Sequence, residues 1–374
     1  MKNMSTATLF LDLVRIPSPS GEEKSIGRFI QRYLDGIGIK TRFDHAGRKN
    51  NSNSGNLIAK IPGTTTTTIL FVAHMDTVEK GDRSVKPKLM NGVIVSNGDT
   101  ILGADNKASI ACILSSITEI LSLQKRPTVI FIFSTREEAG KMGVRYVDIK
   151  DHIDAAFVID GEGSIGRFIY KSLGQIPFEV TFHGKASHAA INPEEGIHAM
   201  KIAADFISHV TLGRGKNGST MNVGKIIGGT ATNIIPDKVT VMGEVRAFSQ
   251  EEMTSILKKI EEVAKSASEK FGGRYTVVMQ PDFGAPPMIG RKTSPIVSIA
   301  KKATKAAGLP FKIDAGSFTG EGNYLAEKGY SVLTVCRGGK YAHSSRETIA
   351  VRELEDLKRL ILALVSTSAN EISI

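Results

Sequence analysis

Cysteine is nearly absent from the 374-residue sequence: Cys112 and Cys336 are its only two. Two such distant thiols make neither a disulfide framework nor zinc-finger spacing, and a reducing, cytoplasmic setting is the simplest expectation. Long apolar runs are missing as well, since no stretch approaches the roughly 20 apolar residues that a membrane-spanning helix requires. The opening segment, MKNMSTATLFLDLVRIPSPSGEE, has only a short apolar run, interrupted by Asp12 and Arg15 and followed by no small-residue cleavage site. It reads as a helix rather than an export signal. Clustered positive charge is the third absence. The formal net charge is +10, yet the Lys and Arg are scattered and no basic run alternates with aromatics, which argues against a nucleic-acid partner.

What is present is a chain long enough for two folded domains. Ser5 precedes the helical run TATLFLDLV, and Ser20 with Glu23 has the spacing of a capping box before KSIGRFIQRYLDGIG. Strands are expected at NLIAKIPG, TILFVAHMD and GVIVSNGD, with a polar turn at TTTTT. NKASIACILSSITEILSLQ has helical periodicity, and PTVIFIFSTREEAG and AAFVID are continuous apolar runs of the kind buried on both faces of a sheet. Alternation of such strands with helices predicts an α/β domain, a mostly parallel sheet covered by helices, over residues 1–171 and 286–374.

Between them, residues 172–285 read as PFEVTFHG, EEGIHAMKIAADFISHV, STMNVGKIIGG, KVTVMGEVRAF, QEEMTSILKKIEEVAKSASEKFG and RYTVVMQPDF. That order, β-α-β-β-α-β, is the ferredoxin-like split unit, an inserted α+β lid domain. One decoy interrupts the pattern. GEGSIG, from Gly161 to Gly166, matches a dinucleotide fingerprint, but RFIYKSLGQIPFEV after it is β-branched and aromatic where a helix would have to open.

Polar groups at the ends of buried strands are costly unless something satisfies them, and in open α/β sheets ligands gather at the carboxyl ends of strands. Five such places here carry acids or histidine: His74 and Asp76, Asp105, Glu137 and Glu138, Asp160, and His343. So many carboxylates together repel one another unless cations sit among them. Two divalent metals answer that need, and imidazole with carboxylate suits zinc, with cobalt or manganese as substitutes.

The motifs HMD, GADNK, EEAG, VID, GKASHAA and YAHSSRE stand in the order found in the co-catalytic dizinc metallopeptidases that include tripeptidase T, aminoacylase-1 and the glutamate carboxypeptidases. The chain resembles that family over its whole length, with peptidase T-like members the most similar. The resemblance implies that His74 and Asp160 ligate one Zn2+, that Glu138 and His343 ligate the other, and that Asp105 bridges them. It makes Asp76 the residue that orients the His74 imidazole. Glu137 becomes the general base that takes a proton from water and returns it to the leaving amine. A cis peptide between Asp105 and Asn106 is also implied, with Asn106 standing where relatives commonly have a second aspartate.

In the lid, His188 matches a histidine that steadies the oxyanion, supplied in dimeric relatives by the partner subunit; this implies a homodimer through the lid. Asn233 and Arg246 match substrate-binding positions. Asp160, where deacylating and carboxypeptidase relatives tend to have Glu, points to peptidases acting on short peptides with a free N-terminus. N-acyl amino acid deacylase or glutamate carboxypeptidase activity is the alternative with the same chemistry. The segment GSFTGEGNYLAEKG departs from the family pattern, placing Glu321 where Asp is usual.

Overall fold

The computed structural model describes residues 5–79, 83–215, 217–280 and 284–371. They form two compact units, one taking in residues 1–171, 290–316 and 320–374, the other 172–289 with 317–319.

The principal elements of the first unit are α1 (Thr6–Val14), α2 (Lys24–Asp35), β1 (Thr41–Phe43), β2 (Leu57–Ile61), β3 (Thr68–His74), α3 (Ala104–Ser122), β4 (Thr128–Ser134), β5 (Ala155–Gly161), α4 (Pro295–Ala306), α5 (Glu321–Glu327), β6 (Val332–Cys336) and α6 (Val351–Glu371). Six strands of its main sheet run in the order β1-β2-β4-β3-β5-β6. The four strands from β4 to β6 are mutually parallel, whereas β1 and β2 pair antiparallel at one side. Arg167–Ser172 follows the decoy motif as a strand, antiparallel to β6, so the helix that a dinucleotide fingerprint needs does not open there.

The apolar runs explain this centre. Every residue of β3 and β4 after the first is buried, which only a strand covered on both faces allows. Phe71 on β3 stacks against Phe131 and Phe157 on the flanking strands at 5.8 and 5.5 Å, each pair worth about 0.5–1.5 kcal/mol beyond its area. Leu9 and Phe10 of α1, Ile113 and Ile117 of α3 and Leu357 and Ile361 of α6 belong to the same core. Because the central strands are parallel, their carboxyl ends lie along one edge, with His74 in register with Ser134.

α1 begins as its sequence implies, with Ser5 Oγ accepting from the Thr8 N–H at 3.2 Å. The capping box expected at Ser20 and Glu23 is not formed: α2 starts after Glu23 with no side-chain cap. Glu23 is buried, and its carboxylate instead accepts from the Gly21 and Arg136 amides at 2.7 and 3.0 Å and from Ser52 Oγ. Ser20 donates to Asp76. Two buried carboxylates needing donors outweigh one helix cap.

In the second unit, strands Thr220–Gly228, Lys238–Ala247, Gly174–His183 and Arg274–Met279 lie in that order, antiparallel throughout. Taken in chain order from the Arg274–Met279 side this is 4-1-3-2, the ferredoxin-like arrangement. Helices Ala199–His209 and Gln250–Phe271 complete it, and Phe178, Phe182, Phe206, Val241 and Ile260 share its core. Pro281–Phe283, the end of the last expected strand, lie outside the described residues.

Candidate metal centre

Five chain segments bring acids and imidazoles together at the carboxyl edge of the first unit's sheet. His74 is the last residue of β3, and its Nε2 lies 3.1 Å from Asp105 Oδ1 and 3.3 Å from Asp160 Oδ1. Asp160 is the penultimate residue of β5. His343, in the loop after β6, places Nε2 2.9 Å from Glu138 Oε1 and 3.4 Å from Asp105 Oδ2. Donor atoms of His74, Asp105 and Asp160, of His74, Glu137 and Glu138, and of Asp105, Glu138 and His343 form three groups, each within 4.8 Å. Asp105 touches both histidines.

The backbone is shaped to present them. Gly103, at φ 75°, caps α3 and gives the chain the left-handed turn that delivers Asp105, which itself has non-helical dihedrals. The Asp105–Asn106 peptide is cis. Glu347 anchors this turn, accepting from the Gly103 and Asp105 amides at 2.6 and 2.9 Å. Arg136, Lys141, Tyr341 and His343 all have positive φ without being glycine, a backbone state that clusters where loops aim functional groups.

Asp76 does more than orient an imidazole. Its main-chain oxygen is the nearer partner of His74 Nδ1, at 3.0 Å against 3.4 Å for Oδ1. The carboxylate accepts from the Glu137 and Glu138 amides at 2.9 and 3.0 Å, as well as from Ser20. The strand end bearing His74 is thereby tied to the turn bearing both glutamates.

Charge accounts for the titration of the cluster. Burial disfavours the charged form of His74, but Asp160, Asp105 and Asp76 outweigh it and hold the imidazole well above its usual range. Burial alone would raise Asp105, which Arg337 and the two histidines nonetheless hold well below the usual carboxylate range. Contacts with Asp105 and Glu138 raise His343 to about 10. Burial pushes Glu137 well up, against Lys141, whose Nζ is 3.4 Å from its Oε1. His74, His343, Arg337 and Lys141 offset the acids, and two imidazoles with three carboxylates is a donor set that suits divalent metals.

Arg337, Glu347, Ser20 and Lys141 complete the centre without having been expected there, although Arg337 ends the apolar run VLTVC and Glu347 closes the motif YAHSSRE. Arg337 is the most consequential, since its Nη2 is 2.7 Å from Asp105 Oδ2.

The remaining expected residues belong to the second unit. His188 is exposed, bridges to Ile234 and accepts at Nδ1 from the Ala190 and Ile191 amides at 3.2 and 3.3 Å. Asn233 adjoins it, its main-chain oxygen accepting from Ala189 at 3.0 Å. Arg246 is on strand Lys238–Ala247, with Nε 2.7 Å from Glu244 Oε1, so one edge of its fork is already taken.

Residues 56–195 match the model of "Peptidase family M28" and residues 170–271 that of "Peptidase dimerisation domain". The "Uncharacterized protein YqjE" of Bacillus subtilis (strain 168) is 32% identical over 367 residues, covering 96% of this chain and 97% of its own length. The crystal structure of aminopeptidase PepT from Bacillus cereus ATCC 10987 superposes with a TM-score of 0.93 at 28% identity, over 99% of this chain and 100% of that one. A tripeptidase structure from Staphylococcus aureus subsp. aureus Mu50 gives 0.93 at 26% identity, over 99% of both chains.

Proposed function

The chain belongs to the M20/M28 family of co-catalytic metallopeptidases, and from that premise we propose that it is a tripeptidase or aminopeptidase hydrolysing short peptides with a free N-terminus. The observation that carries the proposal is the convergence of His74, Asp105, Glu138, Asp160 and His343 on one sheet edge with Glu137 beside them. The similarity to the Bacillus cereus aminopeptidase and the Staphylococcus aureus tripeptidase supports the choice of short peptides.

His74 and Asp160 would hold one divalent cation and Glu138 and His343 the other, with Asp105 available to both. Zinc fits these donors, with cobalt or manganese as substitutes. Cations bound there would supply Lewis acidity toward the scissile carbonyl and toward water. Glu137 accepts the proton from the attacking water and delivers it to the leaving amine. Lys141 holds the Glu137 carboxylate in place, and Asp76 fixes the turn that carries it. A homodimer paired through the second unit is part of the proposal, with His188 as the candidate for steadying the oxyanion at the partner copy's centre and Asn233 and Arg246 as candidate substrate-binding residues.

Two measurements test this. Protein purified without chelator is expected to contain about two equivalents of zinc, cobalt or manganese. Free tripeptides are expected to be hydrolysed faster than their N-acetylated forms. Faster cleavage of the blocked peptides would replace the aminopeptidase reading with a deacylase or carboxypeptidase one.

A further inference from the structure

Arg337 gives the centre a permanent cation. It directly follows β6, is 2% exposed, and reaches Asp105 Oδ2 with Nη2 at 2.7 Å. Its Nη1 donates to the Gly338 carbonyl at 3.3 Å, and its Nε is buried without a hydrogen-bond partner. Asp160 and Glu347 attract it as well. His74 and His343 touch the same Asp105, but an imidazole sheds its proton when it becomes a ligand. A guanidinium does not. One oxygen of the carboxylate that both cations would share is therefore already engaged by a fixed positive charge.

This arrangement has two effects of opposite sign. In the polypeptide alone, Glu347 is a buried acid and Asp105 and Asp160 are largely shielded, their side chains 12% and 10% exposed, and a buried charge without a counter-charge is strongly destabilising. Toward divalent cations, the same guanidinium repels incoming charge and competes for Asp105. We propose that Arg337 is a positioning residue that keeps the centre folded before metal arrives and, by its charge, caps the affinity with which metal is then held. The proposal rests on the two-cation reading above. A purely structural arginine would instead lower both quantities when removed, because loss of Asp105 geometry would weaken metal binding too.

The test uses chelator-treated full-length protein, with thermal melts in the absence of metal and titration with Zn2+ or Mn2+ alone against a chromophoric chelator. Arg337→Met and Arg337→Gln are expected to melt lower than wild type without metal, yet to bind the first equivalent about tenfold tighter or more. Arg337→Gln can still donate to Asp105, so it isolates the charge and provides the measure if Arg337→Met does not fold. Arg337→Lys, keeping the charge, is expected to stay within about threefold of wild-type affinity. Equal or weaker metal binding by the neutral variants overturns the proposal. If wild type itself takes up no metal, the two-cation reading has failed instead.

Discussion

Glu137 and Glu138 are adjacent in sequence but differ in their neighbours: Glu137 faces Lys141, and Glu138 faces His343. Glu137→Gln is therefore expected to retain about two metals per chain while kcat falls by about 10²–10⁴. Asp105→Ala is expected to lose both metal and turnover. Metal analysis alongside steady-state kinetics checks the pair, and near-normal kcat in Glu137→Gln would remove that residue from the proton path. Glu321 poses a different question. It is fully buried at the start of α5, neither carboxylate oxygen has a partner in hydrogen-bonding geometry, and burial pushes it up to about 8. Between the ordinary 4.5 and about 8 the unfolded chain has lost this proton while the folded chain keeps it, so stability falls as pH rises across that window. In chelator-treated protein, Glu321→Gln is expected to melt like wild type near pH 4.5 and to exceed it by roughly 3 kcal/mol or more at pH 8. A variant less stable than wild type at pH 8 would mean that the carboxylate is ionised and usefully paired. Most of the residues that converge were legible because they stand at or just past the end of an apolar run, where an unsatisfied polar group is conspicuous, and His343, in the polar loop after VLTVC, was legible through the motif YAHSSRE. Arg337 ends such a run too but was passed over, because a basic residue at a strand end is ordinarily solvated, and Glu347 in a polar loop looks like surface until the fold buries it.

At the scale of elements, the centre depends on two strand ends being fastened to each other. β3 and β4 are parallel neighbours, and Asp76 beyond the first accepts from the amides of Glu137 and Glu138 beyond the second. Asp76→Asn keeps the side chain's size and the main-chain oxygen that meets His74 but removes one acceptor. A buried N–H left without a partner costs about 1–3 kcal/mol. The variant is therefore expected to lose that much in denaturant unfolding, with metal affinity reduced and kcat lowered. Unchanged stability would show that the clasp contributes nothing. The elements themselves were readable from the sequence, since the strands of the parallel centre are uninterrupted apolar runs and the second unit alternates as a half-buried antiparallel sheet should. The false capping box at Ser20 and Glu23 shows the limit of that reading: local spacing cannot reveal that Ser20 faces a carboxylate 56 residues away.

For the whole molecule, the two units differ in what metal can do to them. Each encloses its own apolar core, one around Phe71, Phe131 and Phe157, the other around Phe178, Phe182 and Phe206. A unit with its own core can unfold as its own cooperative step. Every residue of the candidate metal centre, from His74 to His343, belongs to the first unit. A ligand that binds only the folded form stabilises by RT ln(1 + [L]/Kd), about 2.7 kcal/mol at a concentration 100 times Kd. Calorimetry of the metal-loaded protein is therefore expected to resolve two transitions, and chelation to lower one by several degrees while the other stays in place. Restoring zinc or manganese should return the shifted transition, with a midpoint that depends on metal concentration. If chelation moved both transitions equally, or moved neither, the stabilising effect of metal could not be confined to the unit that holds the five converging acids and imidazoles.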